Sequence, residues 1–394
     1  SDGVAMDWLA SLPHLVLSGL SRVFLSWLQQ VHFEPELFQN WLFLLAKKLG
    51  GFRTIGLQPA ILRLFFKCLA PIFREWDATN ANPEDSASKG KEAEYVLFTR
   101  HIKTELAQLL GEHWFEILYD FEGYYDSITL KSTLPDIIAA KMPLRLTCLA
   151  WQGHLLPRRI TLNNNFSEII EEVNTSIVAG CTSSTSLARC QVNACLPVCP
   201  DCDWGQHVDD VTCFQSGVST DDLIDLIAAE TPTFHEAATL RGLVFSTKTT
   251  VVSTLSSFSR RIVSFLKGQG VVAKAKVVDE DLGAPRSSQR IMKSFNARMK
   301  KASKRAARVK QLLKTNKKAS KLWKTGVLPQ AKYAFKGFGL APSQLQKLDS
   351  LASTCLPRYG ASCGVTTRHL LLGSSPSVDL QVEQITWWVR FIQS

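Results

Sequence analysis

The sequence predicts an α+β fold built on a mainly antiparallel sheet. Three observations carry that expectation. Short β-prone runs recur through the middle of the chain: WFEILYD at 114–120, VDDVTCFQ at 208–215 and GLVFSTKTTVVS at 242–253. Segments with helical spacing separate them, a pattern of strands interleaved with helices. Beyond them, 286–324 carries one apolar stripe at steps of three and four residues and reads as a single cationic helix.

Taken in order, residues 1–76 are apolar and expected to be mostly helical. Within them Met6–Gln30 is rich in Trp and Leu but interrupted by His14 and Arg22. It lacks the unbroken run of about 20 apolar residues that a membrane span needs, and the basic start and small-residue cleavage site of a signal peptide. It reads as a buried amphipathic helix, and no membrane is expected as a partner. Ala78–Lys91, rich in Asn, Ser, Asp and Lys, reads as a surface loop or a local insertion. Residues 94–112 return to helical spacing. The run TDDLIDLIAA at 220–229 is a helix that Ser219 or Thr220 caps, with Asp221 and Asp222 as acids favoured at its N-terminus. In the cationic segment the stripe is Ile291, Phe295, Met299, Ala302, Ala306, Val309 and Leu313. Lys293, Arg298, Lys300, Lys301, Lys304, Arg305, Arg308 and Lys310 flank or oppose it. The chain opens with Ser1 and stops within the apolar run Ile385–Ile392, which reads as a fragment of a larger product.

At 394 residues and 45% hydrophobic content the chain is long enough for more than one packed unit, and wholesale disorder is excluded. Its charge is unevenly placed. Residues 282–348 hold 18 Lys or Arg and no Asp or Glu, so the remainder, with 27 basic and 35 acidic residues, is net negative by 8. An acidic body with a strongly basic segment points to a polyanion, most simply nucleic acid. The ten cysteines form no secretory framework and read as reduced intracellular thiols. Cys195, Cys199 and Cys202, with Cys190 before and His207 after, have a spacing that zinc accepts. Pro197 and Pro200 favour a plain loop there.

Asp120, Asp209 and Asp210 stand out because each lies at the end or near the start of a β-prone run. Adjacent antiparallel strands would bring the three carboxylates within a few ångströms. A set of hard oxygen donors suits Mg²⁺. Two such ions activate a primer 3′-OH and stabilise a leaving pyrophosphate.

At these residues the sequence resembles reverse transcriptases. DFEGYYDSI at 120–128 resembles their first metal-binding motif, and HVDD at 207–210 their second. RTIGL at 53–57, preceded by AKK at 46–48, looks like their fingers motif. AGCTSSTSLA at 179–188 sits where a Pro-Gln-Gly segment is usual, GLVFSTKT at 242–249 resembles the later Gly-Leu…Lys-Thr motif, and DLG at 281–283 fits the turn that follows. VLPQAKYAFKGFGLAPSQLQKL at 327–348 is similar to the post-palm region of non-LTR, LINE-like retrotransposon polymerases. The resemblance runs in motif order from roughly 35 to 350. Three positions depart from the pattern: His207 replaces an aromatic, Val178 and Ala179 stand for Pro and Gln, and Thr54 stands for a Pro.

The resemblance implies a right-hand polymerase. An N-terminal helical region and fingers would occupy 1–110, and a palm 111–283 with an interposed fingers segment 129–175. A basic helical thumb would follow at 284–345, and a C-terminal extension at 346–394. It implies Asp120, Asp209, Asp210 and the Phe121 carbonyl as ligands of two Mg²⁺ ions, with Mn²⁺ as the alternative. Lys47 or Lys48 and Arg53 would embrace the triphosphate of a dNTP, Tyr125 would crowd a ribose 2′-OH, and Gly180 would let the backbone pass close to the templating pair. Lys248 would meet the leaving pyrophosphate as a proton donor. The partners are then an RNA template and a DNA primer, and the place of action is intracellular, at nuclear DNA. An RNA-dependent RNA polymerase shares the palm and metals, and an inactive palm-like nucleic-acid binder shares the fold. Val208 before the Asp pair and Tyr125 at the gate position favour the DNA polymerase. No Gly-rich Lys-Ser/Thr phosphate loop is present for a helicase.

Overall fold

The computed structural model describes residues 8–9, 11–47, 50–80, 82, 85–87, 93–163, 165–196, 200–281, 284–287, 293–356, 364, 367 and 375–393. Two larger sheets, a two-stranded ribbon of Val278–Asp281 and Ala284–Ser287, and the helices make a mixed α+β architecture. The five-stranded sheet has the order β6-β7-β3-β8-β9. Its centre is β3 (His113–Tyr119), antiparallel to β7 (Asp210–Gly217) on one side and to β8 (Thr250–Ser253) on the other. At one edge β6 (Asp203–His207) forms a hairpin with β7, and at the other β9 (Lys274–Ala275) runs parallel to β8. The β-prone run at 242–253 is a strand only over its last four residues; 242–249 is turn and loop, laid along the chain just beyond β3.

The second sheet interrupts the helical N-terminal region. Residues 1–76 are helical over His14–Gln30 and from Ala60 onward, but 40–57 forms a hairpin of β1 (Asn40–Ala46) and β2 (Phe52–Leu57) that the sequence did not announce. The hairpin joins β4 (Arg158–Leu162) and β5 (Asn165–Ile170) in the order β2-β1-β4-β5, with β1 and β4 parallel. The reason lies in anchorage rather than in propensity, since WLFLLA suits either state. Buried Asn40 and Gln58, at the two feet of the hairpin, both donate side-chain amide hydrogens to the Gly153 carbonyl, at 2.9 and 3.1 Å.

The N-terminal helix spans His14–Gln30, yet Trp27 is its one buried residue, and Leu15 is 84% exposed. The expectation of a buried helix therefore fails for all but its last turns, where Trp27 packs on Phe24, Phe33 and Phe65. The polar stretch 78–91 is not simply a surface loop. The helix Ala60–Asn80 runs into it, and Asp85 and Ser86 are fully buried against the β6–β7 hairpin.

Helices follow their end signals. Ser219 Oγ accepts from the Asp221 and Asp222 N–H groups and starts the helix Thr220–Leu240. Thr129 does the same for Ser132 at the start of Leu130–Ala139. One large core joins the helix Ala60–Asn80, the five-stranded sheet and the helices Leu144–His154, Ser184–Asn193 and Thr220–Leu240. A separate core forms under the cationic helix Lys293–Leu312, where Met299, Ala302, Ala306 and Val309 are buried with Trp323, Phe335 and Leu348. The expected stripe is thus packed wherever it is described; Ile291 and the Phe295 side chain lie outside the described residues, as do Leu282 and Gly283 of the DLG turn. The last helix, Pro376–Gln393, returns to the helix Ala93–Leu109, where Trp387, Trp388 and Phe391 surround Phe98.

Candidate active site

Strand pairing decides which acids meet. Tyr119 pairs with Val211 across β3 and β7, so the same register carried one residue further sets Asp120 opposite Asp210. Across the neighbouring hairpin His207 pairs with Asp210, leaving Val208 and Asp209 as a two-residue turn. Val208 takes φ +61° there. A β-branched residue avoids that region, and holding it costs about 1–3 kcal/mol. The turn puts Asp209 at the hairpin tip.

Asp209 and Asp120 feel each other. Burial pushes the Asp209 carboxyl above the usual carboxylate range, and the nearby Asp120 charge adds to the rise, while His207 and Arg53 oppose it. Arg53, exposed on β2, thus reaches the same field from the other sheet. Tyr125 lies in it too: burial and then Asp209 raise the pKa of its phenol. Tyr124 beneath it is fully buried and donates to the Ala188 carbonyl at 2.5 Å.

The loop 244–249 holds Asp120 from its other side. The Asp120 carbonyl accepts from Ser246 N–H at 2.7 Å, and Phe121 bridges Phe245. Lys248 Nζ lies 3.3 Å from Asp120 Oδ2. Phe121 is buried, stacked on Tyr124 and packed on Phe245.

The sequence-derived set is therefore only partly gathered. Asp120, Asp209, Arg53, Tyr125 and Lys248 share one neighbourhood. Asp210, exposed on β7, lies opposite Asp120 in the strand register, and among the described residues no group of three or more His, Cys, Asp or Glu side chains is arranged to hold a metal. Lys47 is exposed at the tip of the β1–β2 hairpin, where its N–H donates to the Gly51 carbonyl. Lys48 lies outside the described residues. Gly180 has φ +94° and open space where a Cβ would sit, so its backbone is approachable. The donors at Asp120 and Asp209 are hard oxygens whose charges repel, which is the environment a divalent cation relieves.

Sequence reading missed the buried frame behind these residues. Arg189, 2% exposed, pairs with Asp85 and, at 2.6 Å, with Asp77. Ser86 N–H and Oγ both donate to the Gln206 carbonyl, and Ser86 Oγ lies 2.8 Å from His207 Nδ1. The Gln206 amide donates onward to the Val208 carbonyl at 3.2 Å. A guanidinium in the small-residue helix SSTSLARC was the available signal. A second anchor lies below β3, where Tyr119 Oη is 3.0 Å from His235 Nε2 and His235 Nδ1 is 2.6 Å from Gln269 Oε1. An amide oxygen only accepts, so His235 carries its proton on Nδ1 and accepts from Tyr119.

The cysteines separate into two places. Cys195 lies by Arg241 and Asp136, with burial lifting its thiol to about 12. Cys202 lies against Cys213, whose thiol is raised by complete burial. Cys199 is outside the described residues. On the cationic helix Lys300, Lys301, Lys304 and Arg308 are exposed. Arg298 instead turns inward, donates to the Tyr333 carbonyl at 2.6 Å and covers the Tyr333 ring. No helix among the described residues is long and apolar enough to cross a membrane.

No protein-family model matches the chain, and no curated protein matches it. Among solved structures, apo telomerase from Candida tropicalis, truncated from its C-terminal domain, is similar with a TM-score of 0.41 and 12% identity. The likeness covers 61% of this chain and 56% of that one, so the chain spans little more than half of that structure. A likeness of this size assigns neither family nor activity.

Proposed function

We propose that the chain is the polymerase part of a retroelement protein, an RNA-directed DNA polymerase that adds a dNTP to a primer 3′-OH. The observation that carries this reading is the approach of Asp209, at the tip of the β6–β7 hairpin, to Asp120 at the end of β3, with Arg53 and Tyr125 in the same field. In this reading the four-stranded sheet belongs to the fingers, the five-stranded sheet to the palm and the cationic helix to the thumb.

The chain's own residues divide the work. Asp120 and Asp209, with Asp210 and the Phe121 carbonyl, would hold Mg²⁺, or Mn²⁺ in its place, which supplies Lewis acidity at the attacking and leaving oxygens. Arg53 and Lys47 supply fixed positive charge to the triphosphate. Tyr125 closes the space that a ribose 2′-OH would enter. Lys248 holds a proton beside Asp120, available to a leaving pyrophosphate. The exposed lysines of the thumb grip phosphates without reading sequence.

A second reading, an inactive palm-like binder, is favoured by the Lys248–Asp120 pair, which occupies one of the acids with an ammonium group. One assay separates the readings: Mg²⁺-dependent incorporation of dNTP and of NTP on a primed RNA template, by wild type and by Asp209→Ala. Incorporation of dNTP that Asp209→Ala abolishes is the expected result. Preference for NTP identifies the RNA polymerase. Duplex binding with no incorporation identifies the inactive binder.

A further inference from the structure

We propose that His154 is a positioning residue for the nucleotide pocket, its imidazole fixing the 176–184 loop that in turn fixes the backbone of Tyr125. The role in the pocket rests on the polymerase reading above; the role in the loop does not.

The start and end of the loop are held by hydrogen bonds. Ser176 N–H donates to the Ile128 carbonyl at 2.8 Å, and Ile177 N–H to the Tyr125 carbonyl at 2.9 Å. Val178 N–H donates to His154 Nδ1 at 3.0 Å, and Ser184 Oγ–H donates to the Val178 carbonyl at 2.6 Å. The Arg158 guanidinium donates to the Ser176 carbonyl at 2.7 Å and to the His154 carbonyl at 2.9 Å. Ser176 Oγ–H reaches Asp126 Oδ1 at 3.3 Å, one residue from the gate position. Ser176 also sits at φ +76°, a conformation that persists only where its surroundings over-determine it.

His154 is suited to the task by its protonation state. Because Val178 N–H donates to Nδ1, that nitrogen carries no proton, and the neutral ring bears its proton on Nε2, which lies 3.5 Å from Ser183 Oγ. Complete burial, with Arg158 nearby, lowers its pKa to about 3. The ring therefore remains an acceptor throughout the neutral range. An apolar replacement would leave the Val178 N–H buried without its partner, which costs more than the bond itself is worth.

The position also explains why the loop and the fingers sheet stay in register. Gly153, the preceding residue, accepts from both Asn40 and Gln58 at the feet of the β1–β2 hairpin. Gly56 on β2 faces Val178 so closely that a Cβ there would collide with the valine side chain. The end of one helix, Leu144–His154, thus anchors both the hairpin that carries Arg53 and the loop bonded to Tyr125.

The test reads exchange and kinetics on the same proteins. In His154→Leu, amide hydrogen exchange at Ile177 and Val178 should quicken about 10- to 100-fold, while β3 keeps its protection. KM for dNTP should rise about tenfold, with kcat and duplex affinity within about twofold. His154→Gln, whose amide oxygen accepts from the same N–H, should restore most of both. Unchanged exchange at Val178 overturns the proposal whatever the enzyme does, and so does a loss of protection spread through the whole sheet. Local loosening with unchanged KM overturns the link to the pocket. If His154→Leu does not fold, His154→Ala, which also lacks the acceptor, gives the same exchange readout. Absence of incorporation by the wild type would defeat the polymerase reading, and the exchange result would still decide the role of His154 in the loop.

Discussion

Lys248 Nζ lies 3.3 Å from Asp120 Oδ2, joining the loop after β7 and its helix to the end of the central strand. The lysine is 75% exposed and the acid 34%. An ion pair that open contributes at most about 1 kcal/mol. Lys248→Ala should therefore leave the melting temperature almost unchanged. If the lysine donates a proton to pyrophosphate, the same variant should lower the single-turnover rate on primed RNA by about 10²-fold or more, with duplex affinity intact. Measuring both on one preparation separates a structural pair from a chemical group; an unaltered rate removes Lys248 from the reaction.

Asp209 should behave as an acid that the fold tolerates at a cost. Its folded pKa is raised, chiefly by burial and further by Asp120. A carboxyl with a raised pKa binds its proton more tightly in the folded state, so folding is favoured as pH falls and disfavoured as pH rises through the interval above the unfolded value. Asp209→Asn should remove that interval. Denaturation at pH 4 and pH 7 should show the variant losing its relative advantage at the lower pH. Incorporation should be abolished at both.

Arg189 should be among the residues least open to replacement. It is buried with two carboxylates, one of them fully buried. Removing the guanidinium leaves both acids without their counter-charge, at a cost of about 3–5 kcal/mol. Arg189→Met should lower the urea midpoint accordingly, and Asp85→Asn in the same chain should recover part of the loss. A purely additive double variant would mean that the ion pair is not the source of the stability.

The exposed lysines of the cationic helix should act through charge alone. Replacing Lys300, Lys304 and Arg308 with Gln should weaken binding to all duplexes alike. The salt slope of binding should fall by about one unit for each phosphate that is no longer gripped. The buried stripe beneath is untouched, so the unfolding midpoint should hold. A wild-type slope in the triple variant would mean a solvated face with no nucleic acid on it.

Short-range chemistry was legible in the sequence, and long-range anchorage was not. Short β-prone runs announced β3 and β7, Ser219 announced its helix, and the spacing of Met299, Ala302, Ala306 and Val309 announced a packed face. Each of those signals lies within a few residues. The β1–β2 hairpin was hidden because WLFLLA has no period of its own, and its fate is set by Asn40 and Gln58 binding a carbonyl about a hundred residues away. Asp85 and Ser86 were hidden for a related reason. A polar stretch looks solvated until its partners, Arg189 and Gln206, are known. The strand ends that carry Asp120 and Asp209 were legible, because each lies within a β-prone run, but the sequence did not reveal that Lys248 would reach back to Asp120.

The nest of Trp387, Trp388 and Phe391 around Phe98 sets a timetable for the newborn chain. At ordinary synthesis speeds of about 5–20 residues per second, the partners of Phe98 leave the ribosome roughly 15–60 s after it does. Until then the helix Ala93–Leu109 presents a bare aromatic side chain that becomes 3% exposed in the finished fold. The body built on the central sheet must wait, sticky on that side, for its last helix. A chaperone that binds aromatic segments should therefore be released only once residues 376–391 have left the ribosome, and chains stopped before 376 should stay bound to it.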